Sequence, residues 1–352
     1  VAAEPDRPAA LETLAERLAS QLLSGPPAAS AAQVAERLLA IQAQDPRGAR
    51  LAVRVRTAGL TAAAVDRALN EGSLLITWLG RGTLHLVRVE DYPWLHALTT
   101  PPLHAGNARR LAQEGVEPNA AERGVEAIEL ALADAGPLTR AELRARLDEA
   151  GVRTEGQALV HVLLLASLRG LIVRGPMRGS EHAFVLVRDW LGEPAAVDRP
   201  RAVAELARRY LAGHGPADDR DLAKWAGLPL RDARAGFEAI ADELVERPDG
   251  LVELGTRSAA TQLPTPRLLG AFDPLLLGWR SRDTITQGHN GIVTTNGIFR
   301  PFALVNGRAT ATWSVRAGKV AIEPFAPLAG ADAAALDADA RDVERFLEVP
   351  KR

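Results

Sequence analysis

Gly215-Pro216-Ala217-Asp218-Asp219-Arg220-Asp221-Leu222-Ala223-Lys224-Trp225-Ala226-Gly227-Leu228-Pro229-Leu230 is the stretch that decides the fold of this chain. A Gly-Pro pair opens it, a helical run from Arg220 to Ala226 comes next, and Gly227-Leu228-Pro229 turns into a second run, Leu230 to Ala241. Glycine accepts the left-handed backbone that ends a helix and proline cannot continue one, so helix, tight turn and helix is expected. This is the pattern of a helix-turn-helix unit. Leu244–Glu246 and Leu251–Leu254, on either side of Pro248-Asp249-Gly250, then predict a β-hairpin wing.

The same order recurs upstream. Gly136-Pro137-Leu138-Thr139 leads into a helix capped by Thr139, with Glu142 three residues on, and Gly151 ends it. An apolar helix from Gln157 to Leu168 comes after it, then Leu171–Val173 and Ala183–Val187 as the strands of a wing. Gly-Pro before the second helix of both units marks an internal repeat. Near the N-terminus, Leu11, Leu14, Leu18 and Leu22 have helical spacing, and Ser30 is placed to cap a second helix through Leu39. Leu51–Thr57 alternates Val and Arg as a strand would, Thr61 opens a helix to Asn70, and Leu74–Trp78 with Thr83–Val87 predict a first hairpin. From Pro264 to Pro327 short β-type runs dominate: Leu268-Leu269, Leu275–Leu277, Ile292-Val293, Phe302–Val305, Thr310–Val315 and Lys319–Glu323. Asn306-Gly307 is a two-residue hairpin signal, and Asp337–Leu347 reads as a closing helix.

The expected fold class is therefore α+β: three tandem winged-helix units and a C-terminal β-rich, barrel-like domain. The boundaries fall at 1–118, 119–198, 199–263 and 264–352.

Composition narrows the function classes. The 352 residues are 47% hydrophobic, enough for several cores, and the formal net charge is −2, which is no global polyanion-binding signature. Contact with nucleic acid would have to come from local patches. Residues 46–60 carry Arg47, Arg50, Arg54 and Arg56 with no acid; residues 199–209 carry Arg199, Arg201, Arg208 and Arg209 against Glu205; Arg280 and Arg282 share a turn. Such clusters either neutralise phosphates or form a solvated face in an arginine-rich chain whose only lysines are Lys224, Lys319 and Lys351. Without cysteine there is no disulfide, thiolate metal site or thiol nucleophile. No apolar run is long enough to span a membrane, and Val1-Ala2-Ala3-Glu4-Pro5 lacks the pattern of a signal peptide, so a soluble cytoplasmic protein is expected.

Few residues carry chemistry. No phosphate loop, dinucleotide fingerprint or metal-ligand helix is present, so neither metal nor cofactor is expected. His85, between Leu84 and Leu86, reads as an outward-facing or partly buried, satisfied histidine as readily as a functional one. Asp273 and Asp283 suggest paired carboxylates, but Asp273 precedes Pro274 as a turn residue would. Gln42-Ala43-Gln44, followed by Asp45-Pro46, has two readings. It is a polar helix end with Asp45 starting a turn, or an extended stretch that points two amides to one face, where their carbonyl oxygens can hold a water.

Three blocks resemble a known family: Ile41-Gln42-Ala43-Gln44-Asp45-Pro46, then Arg81-Gly82-Thr83-Leu84-His85-Leu86-Val87, then Phe272-Asp273-Pro274-Leu275-Leu276-Leu277-Gly278-Trp279-Arg280-Ser281-Arg282 with Gly297–Pro301, Leu304–Arg308 and Thr312-Trp313. They are similar to the winged-helix DNA glycosylases of the AlkZ type, which unhook interstrand crosslinks and confer azinomycin resistance, over nearly the whole chain. The resemblance implies hydrolysis of the N-glycosidic bond of cationic N7- or N3-alkylated purines in double-stranded DNA, crosslinked bases included. It implies Gln42 and Gln44 as the catalytic pair, a Gln-x-Gln motif where a broad-substrate branch has Gln-x-Asp. A monofunctional enzyme is expected, because no lysine lies near the motif for a Schiff-base step, and a monomer, as is typical of a protein that must encircle a lesion. Arg50, Arg54, Arg56, Arg280, Arg282 and His289 are the expected DNA contacts, and the polar segment from Arg280 to Thr295 is either a groove-entering loop or an ordinary one. Two rivals stand beside it: a non-enzymatic winged-helix regulator, distinguished by reading sequence rather than damage, and a protein-interaction scaffold, distinguished by having no DNA affinity.

Overall fold

The computed structural model describes residues 7–193, 196–255 and 262–347; Val1–Pro5 and Lys351 lie outside them. The fold is mixed α+β, in two compact units: Val1–Val65 with Val203–Arg352, and Asp66–Ala202.

In the unit Asp66–Ala202, strands Thr83–Arg88, Leu74–Leu79, Ile172–Arg178 and Glu181–Leu186 lie side by side in that order, all antiparallel. Both expected hairpins are present, but they share one sheet through the pairing of Ile76 with Arg174. Leu74–Leu79 is buried at every position, as its apolar Leu-Leu-Ile-Thr-Trp-Leu sequence requires of a central strand. The helix Arg140–Glu149 starts with the expected reciprocal cap: Thr139 accepts from the Glu142 amide while the Glu142 carboxylate accepts from the Thr139 amide. Gly124, on Pro118–Ala135, packs where an added Cβ would stand 2.9 Å from Val162, on the apolar helix Ala158–Leu168.

The other unit carries helices Arg7–Ser20, Ala31–Leu38 and Pro46–Arg54 from the N-terminal part of the chain. Ser30 caps Ala31–Leu38 as expected. The decisive stretch forms helices Asp219–Ala226 and Leu230–Ala239, with Asp218 as N-cap and Gly227 in the left-handed region at φ 69°. Its hairpin is Leu244–Glu246 against Val252–Leu254. The C-terminal region is not a barrel. Strands Lys319–Pro324, Arg308–Arg316, Phe302–Val305 and Arg267–Leu269 form an open four-stranded antiparallel sheet, and the helix Gly330–Leu347 packs on its outer strands. Asn306 and Gly307, both at positive φ, make the two-residue turn between Val305 and Arg308. Leu275–Leu277 and Ile292-Val293 are not strands. Asp273 caps a short 3-10 turn, Pro274–Leu276, and residues 292–300 fold into a turn closed by the Arg300 amide on the Ile292 carbonyl.

The largest correction lies at Leu51–Thr57. Leu51–Arg54 of the alternating run is the second half of a helix, Pro46–Arg54, and Val55–Thr57 follow it as a turn. Asp45 accepts from the Arg47 and Gly48 amides at 2.8 and 3.1 Å, and Pro46 supplies a preset φ at the first helical position. The start signal was legible; the alternation that argued for a strand arises because nearly every face of this helix is buried.

Candidate active site

Ile41–Gln42 is a two-residue extended segment, Ala43 is buried, and Asp45 has extended backbone. The chain enters it through Leu39, a fully buried leucine held at φ 64°. Such a conformation costs a non-glycine residue about 1–3 kcal/mol and persists only when packing over-determines it. Gln42 keeps 7% of its surface and Gln44 is exposed, so one amide is seated in the protein and the other faces outward.

The helix Pro46–Arg54, next in the chain after the pair, is anchored at both ends. At the front, the Asp45 carboxylate is taken up by two backbone amides. Midway, Gly48 lies so close to the C-terminal region that an added Cβ would stand 2.3 Å from the Ala271 carbonyl oxygen. At the back, Arg56 is fully buried with all five of its N–H donors used. They donate to the Gln21 carbonyl at 2.8 Å, the Gln21 side chain at 3.0 Å, the Ala52 carbonyl at 2.9 Å, and both Asp273 carboxylate oxygens at 2.9 and 2.8 Å. Arg54 donates to Asp339 and Asp342 at 2.9–3.0 Å and to the Leu268 carbonyl at 2.8 Å. Burial works against the Arg54 charge, but hydrogen bonds to Asp339 and Asp342 outweigh it and hold its pKa above the ordinary arginine value. The helix is thereby tied to both Phe272-Asp273 and the closing helix.

Arg54 and Arg56 are therefore corrected from DNA contacts to core ties, since Arg56 is buried with every donor engaged and Arg54 is buried with both terminal nitrogens held by Asp339, Asp342 and the Leu268 carbonyl, so neither can reach a phosphate. Their acids, Asp273 and Asp339, lie more than 200 residues away in sequence, so no local pattern pointed to them. The other expected contacts retain solvent-facing surface in separate places. Arg50 lies on the anchored helix, donating to the Pro46 carbonyl at 2.9 Å. Arg280 pairs with Asp218 at 2.7 Å and Asp221 at 3.2 Å. Arg282 stacks over Phe299 at 5.0 Å, and His289 over Phe325 at 4.3 Å. Asp273 is wholly committed to Arg56 and the Leu275 amide, so it is no catalytic carboxylate, and Asp283 is bonded to Ser281. His85 is half-buried and bonded to the Thr83 carbonyl at 2.9 Å; burial, with Arg81 nearby, pushes its pKa down to about 4. Among the described residues no three acidic or histidine side chains converge as metal ligands, and no helix is long and apolar enough to cross a membrane.

A paired-amide motif directly before an anchored helix, in an α+β chain with helix-turn-helix pairs and hairpins, defines a class. The model of the AlkZ-like DNA glycosylases matches residues 35–346, and the chain belongs to that family. It is similar to the interstrand DNA cross-link repair glycosylase of Streptomyces sahachiroi, 29% identical over 97% of each chain. It also matches the solved structure of the Streptomyces sahachiroi DNA glycosylase AlkZ, at TM-score 0.77 and 26% identity over 96% of each chain.

Proposed function

We propose that this protein hydrolyses the N-glycosidic bond of cationic N7- or N3-alkylated purines in double-stranded DNA, with Gln42 and Gln44 positioning the water. The observation that carries this reading is the placement of two neutral amides, one seated and one exposed, directly before a helix tied down at both ends. Alkylation at N7 or N3 makes the purine cationic and a good leaving group, so little acid catalysis is needed. The sugar develops oxocarbenium character, and the protein must hold water in line and tolerate the cation. Two amide carbonyls do both without ionising. The Asp45 carboxylate is occupied as a helix cap and acts by orienting the segment.

The relative's name supports interstrand crosslinks as substrates, and an azinomycin-type alkylating antibiotic, with self-resistance as the role, is the lesion source we favour. The three helix-and-hairpin segments, 1–118, 119–198 and 199–263, are read as tandem winged helices, with 264–352 as the C-terminal sheet and helix. Arg50, Arg280, Arg282 and His289 are the DNA contacts of this reading. The enzyme is taken as a monomeric cytoplasmic hydrolase, and as monofunctional because the three lysines of the chain lie far in sequence from the glutamines.

The test is incubation with duplex DNA containing N7-methylguanine, with chromatography of released base. Native protein is expected to release 7-methylguanine, and Gln42→Ala/Gln44→Ala to release at least about 10²-fold less, the scale of losing a positioned reactant. No release from this duplex and none from an azinomycin-type crosslink refutes the reading; sequence-selective binding without release would make the protein a regulator.

A further inference from the structure

Beside the glutamine motif, within the same unit, lies a groove of about 420 Å³. Asp45, the residue after Gln44, is part of its wall, so whatever occupies the groove sits next to the motif. Its buried lining is rigid. Gly48 is pressed against Ala271, Leu51 is 2% exposed, and the Trp313 indole donates to the Leu269 carbonyl at 2.8 Å. Its exposed lining is cationic: Arg47, Arg300 and Arg316.

The acids of the groove do not cancel this charge. Asp45 accepts from two backbone amides, and Glu323 pairs with Arg316 at 3.1 Å. Arg47 and Arg300 have no carboxylate partner among the described residues, whereas Arg54, Arg56, Arg247 and Arg280 are each matched with acids. The Ser314 hydroxyl, also in the lining, is buried with no hydrogen-bond partner among the described residues. Two unmatched guanidinium groups and an unspent hydroxyl around one rigid recess are donors arranged for a single anion. Exposed cationic donors around one recess match a phosphodiester oxygen, the group that takes most protein–DNA hydrogen bonds and fixes register without reading sequence.

We propose that this groove is a seat for a DNA phosphodiester immediately flanking the lesion, held by Arg47 and Arg300 with Ser314 as a further donor. The proposal rests on the glycosylase reading for the identity of the polyanion. Its function is to fix the register of the damaged strand, so that the glycosidic carbon falls opposite Gln42 and Gln44.

The test has two arms. In the first, fluorescence anisotropy of an undamaged duplex is followed between 50 and 200 mM salt for native protein, Arg47→Gln/Arg300→Gln, and the control Arg146→Gln, an exposed arginine paired with Glu149. Each lost phosphate contact lowers the slope of log affinity against log salt by about 0.9. The double variant is expected to lose between one and two such increments and about tenfold in affinity near 100 mM salt, while the control moves neither. In the second arm, duplexes carry N7-methylguanine and one neutral methylphosphonate at each flanking position in turn. One position is expected to weaken native binding and leave the double variant unaffected. Native slope and affinity in the double variant, or no position showing that coupling, overturns the seat. Base release by native protein is scored separately. A native protein that binds with the arginine-dependent slope but releases no base refutes the reaction and keeps the seat; release with native-like binding by the variant does the reverse.

Discussion

Gly48→Ala is the sharpest perturbation available. The added Cβ would meet the Ala271 carbonyl oxygen at 2.3 Å, and real Cβ contacts stay beyond 3.0 Å, so helix and C-terminal segment must separate by at least about 0.7 Å. Neither side can yield cheaply. Gly270, next to Ala271, also packs against this helix, with an added Cβ only 2.9 Å from Leu51, and Phe272 already sits at φ 56°. Overpacking of this kind costs about 1–3 kcal/mol, and in a unit of this size each kcal/mol lowers Tm by about 2–4 °C. The functional loss should exceed the stability loss, because the glutamines immediately precede the displaced helix and its Asp45 cap. A misplacement approaching 1 Å costs up to about 10²-fold in rate. The assay pairs thermal unfolding with single-turnover release of 7-methylguanine at saturating enzyme. Gly106→Ala is the control: it lies in the helix Leu103–Gln113 with nothing within 4 Å of the added Cβ, and should gain up to about 1 kcal/mol. A Gly48→Ala protein with native Tm and native release would show that the helix is not held by this contact.

Three further outcomes are expected. Asp273→Asn leaves the Arg56 charge buried and uncompensated and should cost about 3–5 kcal/mol in chemical denaturation; a loss under about 1 kcal/mol would contradict the role of the pair as a core tie. His214 is fully buried, stacked on Tyr210 at 4.9 Å, and burial pushes its pKa down to about 3. Below its usual value of about 6.5, the unfolded chain takes up a proton that the native state refuses. Stability should therefore be level above pH 7 and fall as pH drops from about 6.5 toward 3, by about 3 kcal/mol from this group at pH 4, and His214→Phe should flatten that limb in Tm measured against pH. With no carboxylate at position 44, excision of a neutral ethenoadenine should be far slower than that of 7-methylguanine, and Gln44→Asp should narrow the gap by adding general-base strength; efficient ethenoadenine release by native protein would contradict a mechanism that leans on substrate charge.

The C-terminal barrel and the Leu51–Thr57 strand show where local reading ends. Both rested on short apolar or alternating runs. Leu275–Leu277 comes after Asp273-Pro274, whose capping and fixed φ wind the chain into a 3-10 turn. Leu51–Thr57 alternates, yet Asp45-Pro46 nucleates a helix whose last arginine, Arg54, and Arg56 just past its end are matched by distant acids.

By itself, the sequence determined what depends on neighbours along the chain. Caps at Ser30, Thr139 and Asp218, the left-handed ends at Gly227 and Gly307, the hairpins around residues 80, 180 and 248, and the Gln42-Ala43-Gln44 motif are encoded within a few residues, because hydrogen bonding and steric preference act at that range. The tertiary structure alone decided which arginines are buried struts and which stay exposed. Arg47 and Arg54 look alike in the sequence, but Arg54 meets Asp339 and is buried, while Arg47 meets no acid and faces a groove. That difference is set by partners more than 200 residues away, and charge pairing across such a separation exists only once the chain has folded.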